Sequence, residues 1–178
     1  MRELKPHAYV FGDGSAAHGD DLGAWAALAV TVNARKLLYG VCYPTTISRC
    51  ELMPIIEGLR WIKHNWSKAN GLRVMVISDS EYTVKTLCGL YERKKNRDLW
   101  MALDETVKSM TVQYVWRERN THPYMELCDS ICSGLRHHMH STMGLAFKDV
   151  LNPEPDLPAC DILPEGLDTE VIGRLKNG

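Results

Sequence analysis

Four acidic side chains occupy sequence contexts that could bring them together in the folded chain: Asp13, Glu51, Asp79 and Asp129. Asp13 and Asp79 each follow an apolar, β-branched run, whereas Glu51 and Asp129 lie in segments with helical spacing. Carboxylates gathered at strand ends and helix starts are costly to hold unless cations neutralise them. Oxygen ligands suit a hard ion such as Mg²⁺, with Mn²⁺ as a substitute. Because two such ions stabilise the attacking and leaving oxygens of a phosphoryl displacement, the pattern predicts metal-dependent cleavage of a phosphodiester.

The length and composition allow one folded domain with a substantial core. The chain has 178 residues, of which 45% are hydrophobic. It contains no run of about 18 apolar residues, so no membrane span is expected, and its charged N-terminal segment is unlike a secretory signal. The six cysteines include no CxxC pair, which predicts reduced core thiols. We therefore expect an intracellular protein, either cytoplasmic or nucleoid-associated.

Charge is divided unevenly along the chain. Residues 1–144 carry 18 Lys and Arg against 15 Asp and Glu, whereas residues 145–178 carry 3 against 7 and contain four of the eight prolines. We expect a catalytic domain over residues 1–144 and a Pro-rich acidic extension over residues 145–178. The positive balance of the first segment is compatible with a phosphate-bearing partner.

Apolar periodicity and turn residues predict five strands and four helices. The segment from Gly12 to Asp20 is rich in Gly, Ser and Asp and predicts a turn after the first strand. Ser48 is the predicted N-cap of the first helix, because Glu51 follows at capping-box spacing, and Pro54 is tolerated near a helix start. The predicted strands cover 7–12, 24–32, 36–43, 72–78 and 111–119, and the predicted helices run from Ser48 to a stop at Asn70-Gly71, over 81–90, over 98–109 and from Pro123 onward.

The order of these elements, β-β-β-α-β-α-α-β-α, predicts an α/β fold. The first three strands are close in sequence and form an antiparallel meander, whereas the last two enter through helical crossovers and lie parallel. The expected architecture is a five-stranded mixed sheet flanked by helices.

Five segments together resemble a known family. They are "DGSAAHGDDLGAWAALAV", "TTISRCELMPIIEGLRWI", "VMVISDSEYTVKTL", "NRDLWMALDETV" and "VQYVWRERNTHPYMELCDSICSGL", and they cover about residues 7–140. In this order, with all four acids present, they resemble the type 1 ribonuclease H family. The resemblance implies a ribonuclease H-like fold and an endonuclease that cuts the RNA strand of RNA–DNA hybrids.

The resemblance also implies roles for individual residues. Asp13, Glu51, Asp79 and Asp129 correspond to the ligands of two Mg²⁺ ions, and Asp13 and Asp79 are expected on adjacent central strands. One ion would activate water and the other would stabilise the departing 3′ oxygen, leaving 5′-phosphate and 3′-hydroxyl ends. Glu51 would also contact a ribose 2′-hydroxyl, the group that distinguishes RNA from DNA. The substrate-binding candidates are Gly14, Ser15, Thr46, Ser48, Glu51 and Arg117.

The chain departs from the family at several positions that read the substrate. Ile47 and Ser48 stand where two Asn residues are common, and Glu81 stands where Gln is common. Ile47 has no side-chain hydrogen-bonding group, so the backbone of Gly14 or Ser15 is expected to read the 2′-hydroxyl. The basic protrusion of some members is reduced here to "YERKKNRD", which predicts weaker, more salt-sensitive binding of hybrid.

The loop before Asp129 leaves three candidates for one role. Many family members carry a mobile His about ten residues before the last Asp, and Arg119 stands at that position here. An Arg cannot shuttle protons at neutral pH, so Arg119 is predicted to assist product release or phosphate positioning electrostatically. Arg117 takes this role if the loop is gapped differently, and His122 is a further candidate.

Two other functions remain open from the sequence. The altered 2′-hydroxyl readers would suit a structure-specific DNA nuclease on the same fold, although the "RCELM" segment argues against it. A catalytically silent hybrid-binding module would not need four converging carboxylates. In each case the acidic segment at residues 145–178 could mask the basic face or dock a protein partner.

Overall fold

The computed structural model describes residues 5–16, 22–66 and 71–141. The predicted extension at 145–178, its boundary with the preceding domain, and Asp20 and Asp21 lie outside these ranges. None of the helices in the described ranges is long and apolar enough to cross a membrane. The elements are β1 (Ala8–Ala16), β2 (Gly23–Thr31), β3 (Arg35–Cys42), α1 (Ile47–Asn65), β4 (Leu72–Ser78), α2 (Glu81–Leu87), α3 (Arg97–Val107), β5 (Met110–Trp116) and α4 (Pro123–Ser141).

The strands form one five-stranded sheet in the order β3-β2-β1-β4-β5. The pairs β3-β2 and β2-β1 are antiparallel, whereas β1-β4 and β4-β5 are parallel. The predicted mixed α/β architecture is therefore confirmed. The parallel register pairs Gly12 with Ser78, so the next residues along, Asp13 and Asp79, leave the same edge of the sheet side by side.

The first strand is longer than the sequence indicated. The segment after Gly12 was predicted to be a turn, but Asp13, Gly14, Ser15 and Ala16 continue β1 by pairing with Ala26 through Gly23 of β2. The turn prediction is wrong here because the long antiparallel partner strand satisfies the backbone groups of these small residues. Asp13 consequently lies within a central strand and is not at the mouth of a loop.

The predicted N-cap of α1 is also wrong. Thr46 is the N-cap residue, and the helix begins at Ile47, because the amides of Arg49 and Cys50 already donate to the Thr46 carbonyl. Ser48 is therefore inside the first turn, and Glu51 is not part of a capping box. Pro54 lies two turns into the helix, where it supplies no amide to the carbonyl four residues earlier.

Three other element ends differ from the predictions. The first helix ends at Asn65, before the expected stop at Asn70-Gly71, and residues 67–70 lie outside the described ranges. The helix predicted to reach Leu90 ends at Leu87, and Gly89 follows with φ of +77°. Strand β5 ends at Trp116 because β4, its only pairing partner in the described residues, ends at Ser78. Arg117 and Arg119 consequently belong to a loop.

The alternation of side chains along β1 divides the core into two layers. Val10 faces α1 and α3, whereas Tyr9 and Phe11 face α4. Two buried cysteines of α4 contact the backbone of β1, because the Cys128 thiol donates to the Phe11 carbonyl at 3.7 Å and the Cys132 thiol donates to the Asp13 carbonyl at 3.4 Å. These contacts set α4 directly over the strand that carries Asp13.

The cysteines were predicted to be reduced core residues. All five cysteines in the described ranges are free thiols, and Cys50, Cys128 and Cys132 are buried. Cys42 is partly buried, however, and Cys88 is exposed at the end of α2, so the prediction of a core location is wrong for Cys88.

Gly14 permits the close approach of β1 to the start of α1. A Cβ at this position would overlap the Cys50 carbonyl group and lie 2.5 Å from the Glu51 amide nitrogen. Both of these neighbours belong to the backbone of α1, so neither can move without displacing the helix. The absence of a side chain at Gly14 thus fixes the height of the Glu51 backbone above the strand.

We expect Gly14→Ala to lower the free energy of unfolding by about 1–3 kcal/mol or more, because a methyl group would be forced into backbone atoms. The matched control is Gly134→Ala in α4, where nothing lies within 4 Å of the new Cβ. That change should stabilise the protein by about 0.5–1 kcal/mol through helix propensity. Urea unfolding followed by circular dichroism measures both. Equal effects of the two substitutions would contradict the steric explanation.

Candidate active site

Three carboxylates surround one guanidinium group at the edge of the sheet. Arg119 Nε donates to Asp79 Oδ2 at 2.7 Å. Its other nitrogens lie 3.4 Å from Asp129 Oδ1 and 3.8 Å from Asp13 Oδ1. Arg119 lies in the loop between β5 and α4, and its side chain is 54% exposed. A single partly exposed cation thus lies close to three acids, which come from β1, from the residue after β4 and from α4.

Each of the three aspartates is positioned by a separate feature of the fold. The parallel pairing of β1 with β4 sets Asp13 beside Asp79. Trp116 at the end of β5 donates from its indole nitrogen to the Asp79 carbonyl at 3.0 Å, which fixes the backbone there. Asp129 follows Cys128 in α4, so the thiol contacts with β1 bring its carboxylate to the same edge.

Asp13 is the most buried of these acids, with 3% of its surface exposed. Its Oδ2 atom is buried and has no hydrogen-bond partner. Burial and the nearby charges of Asp79 and Asp129 together raise the pKa of Asp13 to about 7, against the opposing effect of Arg119. This side chain is therefore held at the midpoint of its titration near neutral pH in the absence of any other cation.

Glu51 lies beside this cluster but faces a different set of partners. Its Oε2 atom accepts hydrogen bonds from the hydroxyls of Ser80 and Thr83, both at 2.7 Å. Ser80 follows Asp79 directly and also caps α2 by accepting from the Thr83 amide. The sequence analysis missed Ser80 and Thr83, although a Ser one residue before a predicted helix is an N-cap signal that could have identified the first of them.

The donor set of the cluster fits a hard cation, but the side chains are not assembled around one. The oxygens of Asp13, Asp79 and Asp129 already surround a positive charge, and the unpartnered Asp13 Oδ2 is an orphaned ligand atom. In the described parts of the chain, however, no group of three or more His, Cys, Asp or Glu side chains is arranged as it stands to hold a metal ion. Arg119 lies among the aspartates, and Glu51 is directed to Ser80 and Thr83. Ion binding would therefore require Arg119 to withdraw.

The substrate-binding candidates on β1 lie close to the cluster. Gly14 follows Asp13 in β1 and packs against α1. The Ser15 hydroxyl accepts from Arg136 of α4 at 2.6 Å, so its side chain is already engaged. The structure thus leaves the backbone of this strand edge, and not the Ser15 side chain, as the part available to a ligand.

The remaining substrate-binding candidates lie around the rim. Thr46 is exposed at the start of α1, and Ser48 is partly buried two residues further on. Arg117 is exposed, and its backbone amide donates to the Ser78 carbonyl. These residues are not brought into contact with the aspartates in the described structure, which leaves their predicted roles as predictions.

His122 is held away from the acids by aromatic packing. Its ring stacks on Phe11 with centroids 4.9 Å apart, and its Nδ1 atom accepts from the Tyr124 amide. Burial lowers the pKa of His122. Its carbonyl accepts from the amides of Met125 and Glu126, so His122 is the N-cap residue directly before α4. Of the three loop candidates, Arg119 is the one that the structure brings to the cluster.

A groove of about 260 Å³ runs from the start of α1 past α2 to the loop before α3. Ser48, Tyr82 and Trp100 line it together with residues 92–96. Glu81, which stands where the family commonly has Gln, is paired with Lys85 at 2.7 Å. The groove therefore offers aromatic and cationic groups next to the acidic edge, a combination that suits nucleic-acid strands.

Arg49, which the sequence does not single out, stabilises the end of this groove. Arg49 makes a two-pronged ion pair with Asp98, with nitrogen–oxygen distances of 2.8 and 2.6 Å. The pair joins the first turn of α1 to the first turn of α3, and it lowers the pKa of Asp98 to about 2. The Arg lies two residues before Glu51, but its partner is distant in sequence, so no local pattern indicates the contact.

Known proteins share both the fold and the sequence pattern. The fold and the acidic edge define an α/β protein with a candidate cation site, and the RNase H family model matches residues 5–133. Ribonuclease H from Cupriavidus metallidurans is 32% identical over 138 residues, covering 70% of this chain and 91% of the relative. Ribonuclease H from Pseudomonas entomophila is also 32% identical over 138 residues, with 70% and 89% covered. The chain belongs to the RNase H family.

A solved structure supports the same fold. The N-terminal RNase H domain of a Mycobacterium tuberculosis protein, solved as a fusion with maltose-binding protein, superposes with a TM-score of 0.65. The alignment covers 77% of this chain and 98% of that domain's chain at 14% identity. The resemblance of the five sequence segments is thus confirmed at the level of family and fold.

The raised pKa of Asp13 makes the stability of the metal-free protein dependent on pH. The folded state keeps a proton on Asp13 up to about pH 7, whereas the unfolded chain releases it near 3.8. Stability should therefore fall as pH rises through this window. In chelator, the free energy of unfolding of Asp13→Asn should be higher than that of the parent protein by a few kcal/mol at pH 8, which is on the order of the pKa shift of Asp13. The two proteins should differ little near pH 4.

Thermal unfolding of both proteins in chelator between pH 4 and 8 measures this difference. Asp104→Asn is the matched control, because Asp104 is exposed on α3 and pairs with Arg93 away from the cluster. Its stability should stay parallel to that of the parent across the range. A constant gap between Asp13→Asn and the parent protein would contradict the assignment of a buried, proton-binding carboxyl.

Proposed function

We propose that this protein is an endonuclease that hydrolyses the RNA strand of RNA–DNA hybrids and leaves 5′-phosphate and 3′-hydroxyl ends. One observation carries the proposal: Asp13, Asp79 and Asp129 converge on the guanidinium group of Arg119 where the parallel strand β4 ends beside β1. Curated relatives that are 32% identical to this chain are named ribonuclease H. Neither simple packing nor hybrid binding alone explains why a central strand buries an acid with an unpartnered oxygen.

The cofactor in this proposal is a pair of Mg²⁺ ions held by Asp13, Glu51, Asp79 and Asp129, with Mn²⁺ as a substitute. The chemistry that such ions supply when bound is activation of water and neutralisation of charge on the departing oxygen. The donor set supports this choice, since it consists of carboxylate oxygens, and the Asp13 Oδ2 atom lacks any other partner. Ser80 and Thr83 hold Glu51 in one rotamer beside Asp79, which limits the reorganisation that binding requires.

Arg119 acts in this proposal as a counter-charge that leaves the acids and turns toward substrate. Its side chain is more than half exposed and sits on a loop, so it can rotate outward without disrupting the core. Its pKa is raised by the Asp79 hydrogen bond, and it remains charged throughout. A guanidinium group at this edge orients a phosphate or helps the product phosphate depart, but it transfers no proton.

Recognition of the RNA strand falls to the groups around Gly14. The proposed readers of the 2′-hydroxyl are the backbone of Gly14 and Ser15 and the Glu51 carboxylate, with Ser48 beside them. Thr46 and Arg117 are exposed on the two sides of the acidic edge, where they can contact phosphates. Ile47 is 43% exposed, and it adds an apolar contact where the family commonly has a polar one.

The direct test of activity is a labelled 20-mer RNA–DNA hybrid, incubated beside matched RNA duplex, DNA duplex and single strands in Mg²⁺, Mn²⁺ or chelator. We expect metal-dependent cutting of the hybrid's RNA strand alone. Asp13→Asn and Asp79→Asn should each lower the rate by about 10³-fold or more, because charge stabilisation in the transition state is lost. Asp104→Asn should cut at the parental rate.

Other products would change the assignment. Cutting of DNA duplex in preference to hybrid would indicate a DNA nuclease on this fold. Tight binding of hybrid with no cutting in either ion would indicate a silent binding module. Mass spectrometry of the fragments checks the 5′-phosphate and 3′-hydroxyl ends directly.

Arg119→Gln separates the ion-binding proposal from the activity. Because Arg119 competes for the same oxygens, its removal should tighten Mn²⁺ binding several-fold in calorimetric titrations, an effect of about 1 kcal/mol. Arg117→Gln is the matched control, since Arg117 is exposed in the same loop and makes no ion pair with these acids among the described contacts. Unchanged or weaker Mn²⁺ binding in Arg119→Gln would refute the competition between the two cations.

A further inference from the structure

Two cysteines meet beside Gly23, at the junction of β3 and α1. Cys42 is the last residue of β3 and pairs directly with Gly23 of β2. Cys50 lies in the first turns of α1, and a Cβ on Gly23 would overlap its Sγ atom. Since directly paired residues of antiparallel strands point to the same face, the side chain of Cys42 lies next to the space that the Cys50 sulfur fills. The two thiols therefore face the same space beside Gly23.

The two thiols differ in exposure. Cys50 is fully buried, and its sulfur also contacts the Thr45 hydroxyl at 3.6 Å. Cys42 is only partly buried, so a small solute can reach it. The neighbouring Cys50 thiol and the positive charge of Arg49 lower the pKa of Cys42 to about 7 against the opposing effect of burial, whereas Cys42 and burial raise the pKa of Cys50. A partly exposed thiol with thiolate character beside a buried thiol is the arrangement of an attacking and a resolving cysteine.

The other described cysteines lack this arrangement. Cys128 and Cys132 donate to carbonyls of β1, and burial raises the pKa of both thiols. Cys88 is exposed, and its thiol lies 4.0 Å from the Tyr114 carbonyl. Cys42 and Cys50 differ from these three because a partly exposed thiol lies beside a buried one.

We propose that Cys42 and Cys50 are a redox modification site, at which hydrogen peroxide produces a reversible intramolecular disulfide. The Cys42 thiolate attacks one peroxide oxygen, so that an S–O bond forms, the O–O bond breaks and hydroxide leaves as water after taking a proton. The Cys50 thiol then attacks the Cys42 sulfur, so that the S–S bond forms and the S–O bond breaks. Water departs with the proton of Cys50. Two thiols and one peroxide thus give one disulfide and two waters, and a thiol reductant reverses the change.

The bond would act on the proposed active site through the backbone of α1. A disulfide holds its sulfurs about 2.05 Å apart, closer than two thiols in contact, so its closure pulls Cys50 toward β3. The Cys50 carbonyl and the Glu51 amide pack against Gly14 with no room to spare. Oxidation therefore shifts Glu51 relative to Asp13, and this consequence for catalysis rests on the proposed ribonuclease activity.

The disulfide itself is tested without any assay of activity. The full chain is reduced, exposed to graded hydrogen peroxide, alkylated and digested, and the peptides are identified by mass. We expect a linkage between Cys42 and Cys50, two hydrogens lighter than the reduced pair, which dithiothreitol removes. Cys42→Ser should lack the linkage, whereas Cys88→Ser should retain it. Cys42→Ala repeats the test if the serine variant is poorly folded.

Two results would overturn the site. One is peroxide treatment that converts Cys42 to its sulfinic acid while Cys50 stays alkylatable. The other is the absence of any Cys42–Cys50 linkage in the parent protein at peroxide doses that oxidise the exposed Cys88. Neither result depends on whether the protein cuts hybrid, so a failure of the proposed function leaves the mass test intact.

The activity arm tests the link to the active site. This test requires that the reduced parent protein cuts hybrid. Peroxide should then slow cleavage roughly tenfold or more, because small displacements of positioning groups cost large factors in rate. Dithiothreitol should restore the rate. Cys42→Ser should cut at the parental reduced rate and keep it in peroxide. Full activity of the verified disulfide form would refute the coupling to Glu51.

Discussion

The burial of the Asp13 carboxylate in the central strand is the constraint on which the rest of the site depends. A carboxylate with almost no exposure and an unpartnered oxygen is unfavourable when ionised, which is why its pKa rises to about 7. Two further acids beside it raise the same cost. A positive charge must therefore accompany the site whenever it is ionised, and in the described structure that charge is the guanidinium of Arg119.

The fold is arranged so that the surrounding groups meet this requirement at one place. The parallel β1-β4 pair sets two of the acids side by side, and the thiols of α4 lock the third over the same strand. Gly14 lets α1 approach until its backbone touches β1, and Ser80 and Thr83 then hold Glu51 next to Asp79. Each of these features stabilises the fold, and each also restricts the position of one carboxylate. The fold thus fixes where the carboxylates stand, and binding of a metal ion requires the withdrawal of Arg119.

The amino-acid sequence predicts the order of elements and the mixed sheet because these follow from apolar periodicity over whole segments. It also identifies the four acids, which stand in short local motifs. It mislocates the start of α1, because Ser48 and Glu51 have capping-box spacing and the competing choice, the Thr46 carbonyl, has no side-chain signature. It ends β1 too early, because Gly and Ser after Asp13 resemble a turn when the pairing with β2 is unknown. The Glu51 and Arg49 contacts escape it because Thr83 and Asp98 are far away in sequence.

The charges of the site explain why Arg119 is needed in the metal-free protein and is displaced when metal ions bind. Asp13, Glu51, Asp79 and Asp129 together carry four negative charges when ionised, which two divalent ions neutralise without help. Arg119 then adds a surplus positive charge beside two cations, and the repulsion that results favours its departure from Asp79. The nearest source of negative charge outside the acids is the phosphate backbone of a bound strand. Under the proposed mechanism the same guanidinium therefore stabilises the metal-free site and contacts phosphate in the loaded one, and its exposure on a loop allows both positions.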